Sequence, residues 1–155
     1  MNIVVLYGTE SGNAELVAED LGSQLRAEHE VEVADLRNWD PDSLTPDNFY
    51  LIVCSTHGEG DLPESAIPFG ERIRASRPDL TGVRYAMFGL GDSFYEETYS
   101  QGSEIIDRLL TEAGAARVGD YGRHDASSWD LPSDLALVWL PNTLEAAAAS
   151  STQPR

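Results

Sequence analysis

IVVLYGTESGNAE, residues 3–15, runs from an unbroken apolar stretch through a small, hydroxyl-rich turn into a helical pattern. Ile3 to Leu6 fit a strand covered on both faces. Across Ala14 to Glu28, Val17, Leu21 and Leu25 recur at spacing four, the single stripe of an amphipathic helix. Between them stand Gly8, Thr9, Ser11, Gly12 and Asn13, with no lysine or arginine nearby. Free amides at a helix start, with the positive end of its dipole, make an anion site. Thr9, Ser11 and Asn13 add neutral donors. The glycines have neither Walker nor GxGxxG spacing. Taken alone, the stretch reads equally as a helix cap on a tight turn.

Outward from this unit the same alternation repeats. Val31 to Leu36 alternates apolar and polar as a second strand, and a loop with Pro41 and Pro46 leads to a third, Tyr50 to Cys54 (YLIVC). The loop STHGEGDLPES (residues 55–65) precedes a helix over Ser65 to Ala75 with Ala66, Phe69 and Ile73 inward. Val83 to Phe88 is a fourth strand, followed by GLGDSFYEETY (residues 89–99) and a helix from Gln101 to Ala113 that buries Ile106, Leu109 and Leu110. Ala115 to Tyr121 is a weaker fifth strand. A last helix runs from Pro132 to Trp139, where proline suits the first turn and Pro141 ends or kinks it. The tail from 146 (AAAASSTQPR) is expected to fray. One domain over residues 1–145 accommodates all of this.

Five rounds of strand and helix predict an α/β fold, a parallel sheet with helices on both faces. In the order 2-1-3-4-5, the loops after strands one, three and four end side by side, where such sheets bind ligands. Three glycine- and hydroxyl-rich stretches therefore converge on one place. Tyr95 and Tyr99 in the third loop and His57 in the second could stack on a flat ligand. Each alone also fits ordinary packing or a solvated surface.

Composition narrows the chemistry. The 155 residues include 27 acidic and 10 basic side chains, a net charge of −17. That field repels nucleic acid and anionic lipid and attracts basic partners. No apolar run is long enough to cross a bilayer, the N-terminus has no signal-peptide pattern, and the single Cys54 excludes an internal disulfide. These features point to a cytoplasmic protein. A receiver-type phosphoacceptor needs acidic strand ends, but the first and third strands end in Tyr7-Gly8 and Cys54-Ser55. A low-molecular-weight phosphatase needs arginine six residues after its cysteine, and here Gly60 stands there. His29, His57 and His124 lack metal-ligand spacing, and no GxSxG elbow is present.

In order, YGTESGNAE, STHGEGDLPES and GLGDSFYEETY resemble the FMN-binding loops of the flavodoxin family, and the resemblance covers residues 2–145. The GEGD and GLGDSxYE segments are most similar to short-chain, MioC-like flavodoxins and to the FMN domain of diflavin reductases. The resemblance implies a flavodoxin-like three-layer sandwich around a five-stranded parallel sheet of order 2-1-3-4-5. It implies FMN as cofactor. Thr9, Glu10, Ser11, Gly12, Asn13 and Ala14 would wrap the phosphate; Ala14 replaces a threonine common in relatives, which implies weaker FMN binding. Ser55, Thr56, His57, Gly58, Glu59 and Gly60 would form one ring loop. Gly58 matches the glycine whose carbonyl turns toward flavin N5–H after reduction. Leu90, Gly91 and Asp92 would line the pyrimidine edge with Asp125 nearby, Tyr95 would stack on the outer face, and Tyr99 would be a further cofactor contact. The implied function is a monomeric electron carrier without its own substrate. It would run between a separate NADPH-dependent flavodoxin or ferredoxin reductase and acceptor enzymes. A flavin-dependent NAD(P)H quinone or flavin reductase is the alternative on the same fold. The acidic side chains Glu59, Asp61, Asp92, Glu96 and Glu97 around the ring would lower the second reduction potential and steer basic partners.

Overall fold

The computed structural model describes residues 2–9, 12–56, 62–91, 101–125 and 129–151. Strands β1 (Asn2–Gly8), β2 (Glu30–Asp35), β3 (Phe49–Ser55), β4 (Arg84–Gly91) and β5 (Ala116–Arg117) form a parallel sheet in the order β2-β1-β3-β4-β5. A sixth strand, β6 (Gly122–Asp125), pairs with β4 beyond β5. The expected strand order is therefore present.

Successive residues of a strand face opposite sides, so the apolar run of β1 feeds two cores. Ile3 and Val5 join Phe49, Leu51, Val53 and Phe88 beneath helices α1 (Asn13–Leu25) and α4 (Pro132–Ser151). Val4 and Leu6 join Tyr50, Ile52, Cys54 and Met87 beneath α2 (Ile67–Ser76) and α3 (Gln101–Glu112). The spacing-four stripe of α1 is buried at Val17, Leu21 and Leu25, with Ala14 and Ala18 filling the same face. Ala66, Phe69 and Ile73 point inward as the pattern predicts; Ala66 closes a short 3₁₀ turn, Glu64–Ala66, that leads into α2. Ile106 and Leu110 are buried, and Leu109 packs at the margin of that core.

Two elements differ from the sequence reading. The fifth strand is not a continuous run over Ala115 to Tyr121: β5 and β6 pair with opposite ends of β4, and after the Val118 amide, which donates to the Tyr85 carbonyl at 2.7 Å, residues 119–121 leave the ladder between them. The excursion is held by side chains. The Tyr121 ring lies between the guanidinium groups of Arg117 and Arg123, 5.1 and 4.0 Å from its centroid. Its hydroxyl shares a hydrogen bond with Ser103 of α3. The Trp139 indole N–H donates to the Asp120 carbonyl at 2.8 Å. Trp139 also packs on Phe88, and a Cβ on Gly122 would stand 2.4 Å from Phe88 and 2.9 Å from Trp139, so only glycine fits there.

The second difference is the last helix. It does not stop at Trp139, nor does Pro141 end it: α4 continues to Ser151, so residues 146–151 are helix rather than a frayed end. Pro141 removes one donor from the helix, but the alanines after it are the strongest helix formers. Ala147 is fully buried, and Arg84 of β4 donates to its carbonyl at 2.8 Å and to Ser150 Oγ at 3.0 Å.

Candidate functional site

The carboxyl ends of the strands step across one edge of the sheet. Gly8 of β1 is in register with Cys54, Ser55 of β3 with Leu90, and Gly91 of β4 with Asp125. Thr9, Gly12, Asn13, Ala14, Ser55, Thr56, Leu90, Gly91 and Asp125 all lie on these strand ends or immediately beyond them. Glu10, Ser11, His57, Gly58, Glu59, Gly60, Asp92, Tyr95 and Tyr99 lie outside the described residues.

The start of α1 is the best described part of this edge. Gly12, directly before the helix, has φ 95°, a left-handed conformation that a Cβ would strain. Its amide donates to Thr9 Oγ1 at 2.7 Å, closing the turn, and its carbonyl accepts from the Leu16 amide at 3.1 Å, opening the helix. Among the described residues no side chain caps α1. A Cβ placed on Gly12 would meet no heavy atom of the described residues within 4 Å. The first-turn amides of a helix have no intrahelical acceptor. Asn13 is exposed there. Ala14 is fully buried in the core, so it offers only its amide.

This loop is fixed from behind by a residue the sequence reading did not single out. The Thr9 amide donates to Ser65 Oγ at 2.7 Å, and the Ser65 amide donates back to the Thr9 carbonyl at 3.2 Å. Ser65 is buried. The available signal was a hydroxyl at the exit of the second glycine-rich loop, ahead of a helix.

The other described residues divide by role. Ser55 Oγ donates to the Gly8 carbonyl at 3.3 Å, tying β3 to β1. The Thr56 amide donates to the Leu90 carbonyl at 3.0 Å, and Thr56 Oγ1 accepts from the Gly102 amide at 2.9 Å. Both hydroxyls are thus engaged by the scaffold. The Leu90 side chain is buried in the core beneath α1 and α4, so only its backbone borders the site. Asp125 closes β6 beside Gly91.

Ionisation at this edge follows burial. Tyr7 is pushed up to about 12, first by desolvation and then by Glu15 and Asp35, and its hydroxyl donates to Glu15 Oε2 at 3.4 Å. Burial pushes the Cys54 thiol up to about 12, so it is neither a nucleophile nor a metal ligand at neutral pH. His124 is buried, with Nε2 2.8 Å from the Asp130 carbonyl. Among the described residues no group of side chains has the makings of a metal site.

The Flavodoxin family model matches residues 5–139. The chain belongs to the flavodoxin family. It is an FMN-binding electron-transfer protein, as its family is. It is 31% identical to Protein MioC of Escherichia coli O157:H7 over 139 residues, covering 90% of this chain and 93% of that one. It is 39% identical to the sulfite reductase [NADPH] flavoprotein alpha-component of Bacillus subtilis over 145 residues, 92% of this chain. There it spans only 23% of the longer protein. Among solved structures it superposes on a point mutant of flavodoxin from Pseudomonas aeruginosa with a TM-score of 0.78 at 34% identity, covering 96% of this chain and 98% of that one.

Proposed function

We propose that FMN lies across the carboxyl ends of β1, β3 and β4, with its phosphate on the open start of α1 and its ring between the second and third loops. FMN supplies the electron chemistry, and the chain supplies position and field. The amides at Gly12, Asn13 and Ala14 receive the phosphate, together with Thr9, Glu10 and Ser11. His57, Gly58, Glu59 and Gly60 flank one side of the ring and Tyr95 the other. Gly91, Asp92, Tyr99, Asp125 and the Leu90 backbone border its pyrimidine edge. The observation that carries this reading is the α1 start, left without a side-chain cap among the described residues and entered through the left-handed Gly12, at the point where strand order reverses between β1 and β3.

On this reading the protein is a monomeric carrier with no substrate of its own, working in the cytoplasm. It takes electrons from a separate NADPH-dependent flavodoxin or ferredoxin reductase and passes them to acceptor enzymes. The net charge of −17 favours basic partners, and among the described residues no helix is long and apolar enough to cross a membrane. Reduction by a basic reductase should slow as salt rises from low to physiological ionic strength. A flat rate argues against electrostatic docking. The first test is a fluorescence titration of FMN into apoprotein. Quenching that saturates at one FMN per chain supports the site, and unquenched FMN overturns it. NADPH oxidation by the purified holoprotein alone favours a reductase instead.

A further inference from the structure

We propose that Thr56 is a positioning residue for the flavin ring, fixing where the second loop leaves the sheet relative to the points where the third loop leaves and rejoins it. The inference rests on the FMN reading above. Thr56 is the last described residue before the second loop. Its amide is bonded to the Leu90 carbonyl, just before the third loop, and its hydroxyl to the Gly102 amide, just after it. One residue at the root of one loop therefore holds both ends of the other.

The hydroxyl contact is the unusual one. A helix start is ordinarily capped by the residue that leads into it. The Gly102 amide, in the first turn of α3, is instead capped by a side chain 46 positions upstream, on the end of β3. Gly102 is buried. Its amide has no acceptor within the helix, so losing Thr56 Oγ1 strands a donor away from water. The next residue, Ser103, is bonded to the Tyr121 hydroxyl. The first turn of α3 is thus pinned by β3 on one side and by the fifth-strand segment on the other. The reciprocal Thr9–Ser65 pair ties the exit of the second loop to the phosphate loop. Thr56 therefore fixes the entry of the second loop against both ends of the third, while the phosphate loop is held by the separate Thr9–Ser65 pair.

The test compares Thr56→Val, which keeps the shape and removes the acceptor, with Thr56→Ser, which keeps the acceptor. In the holoprotein, Thr56→Val should bind FMN about tenfold more weakly, the scale expected from losing a helix cap. It should also shift the flavin reduction potentials and change the visible circular dichroism of bound FMN. The ratio of FMN to riboflavin affinity should stay at its wild-type value, because the phosphate end is untouched. Thr56→Ser should restore all three properties. Hydrogen exchange should show the Gly102 amide losing protection in Thr56→Val while the β3 and β4 amides keep theirs. Should the valine variant fail to fold, Thr56→Ala makes the same comparison with less bulk facing Gly102. Wild-type potentials and dichroism in the valine or alanine variant, even with a lower melting temperature, overturn the proposal and leave Thr56 a plain structural cap. A serine variant as impaired as valine also overturns it. Failure of the wild-type protein to bind FMN overturns the FMN reading itself, and is distinct from either result.

Discussion

Two helices begin at the same edge of the sheet and are finished in opposite ways. At the start of α3 a buried amide is satisfied by Thr56 from a neighbouring strand. At the start of α1 no described side chain provides a cap, and the glycine before it turns through φ 95°. Both starts follow loops rich in glycine and hydroxyl residues, so they look alike as sequence. On the proposed reading, the difference separates a helix end that serves the scaffold from one that receives the phosphate. A protein gains nothing by leaving amides unpaired unless something else pairs them.

The largest expected effect tests that difference directly. Riboflavin is FMN without the phosphate. If the α1 amides hold the phosphate, riboflavin should bind at least about 100-fold more weakly, since two or more charge-assisted hydrogen bonds of ~1.5–3 kcal/mol each are lost. Equal affinities in a fluorescence titration would break the contrast between the two helix starts. A smaller effect should follow from Gly12→Val. The substituted residue has room for its Cβ, so any loss comes from the left-handed backbone, roughly 1–2 kcal/mol. FMN should then bind roughly tenfold more weakly while riboflavin binding barely changes. Equal losses for both ligands would mean that Gly12 shapes the whole site rather than the phosphate end.

Much of this was legible in the sequence because the governing forces are local. The run Ile3 to Leu6 and the stripe Val17, Leu21 and Leu25 each state their periodicity outright, and the strand order is the one that the family resemblance implies. What was illegible depends on distant partners. The break in the fifth strand exists because Arg117, Arg123 and Ser103 capture Tyr121. Helix α4 passes Pro141 with its end fastened by Arg84, 63 positions from Ala147. At the site, the sequence shows hydroxyls but not what they bond. Thr56 reads as a ligand contact and is found capping α3, while Ser65 goes unremarked and holds Thr9. The burial of the Leu90 side chain is a different case. By strand alternation Leu90 shares a face with Phe88 and Ala86, so its burial was there to be read.

The last comparison concerns the thiol at the root of this edge and is read from pH rather than from ligand. Cys54 lies at the root of this edge, its Sγ 3.1 Å from where a Cβ on Gly8 would stand. A helix start near a thiol lowers its pKa, and burial raises it. Here burial wins, at about 12. The folded value therefore exceeds the unfolded one of about 8.5. The unfolded chain loses this proton first as pH climbs, so the contribution of the neutral thiol to stability is complete below about pH 8.5. It declines as pH rises from there toward 12, at up to about 1.4 kcal/mol per pH unit. Tyr7, also raised to about 12, adds to the decline at higher pH in the same sense. Urea midpoints should stay level between about pH 7 and pH 8 and fall above about pH 9, and Cys54→Ala should flatten part of that fall. A thiol reagent should leave the native protein unlabelled at about pH 8 and react at once after unfolding. Rapid labelling of the native protein would show that this edge opens far enough to admit the reagent, and the stability assigned to the buried neutral thiol would then fall with it.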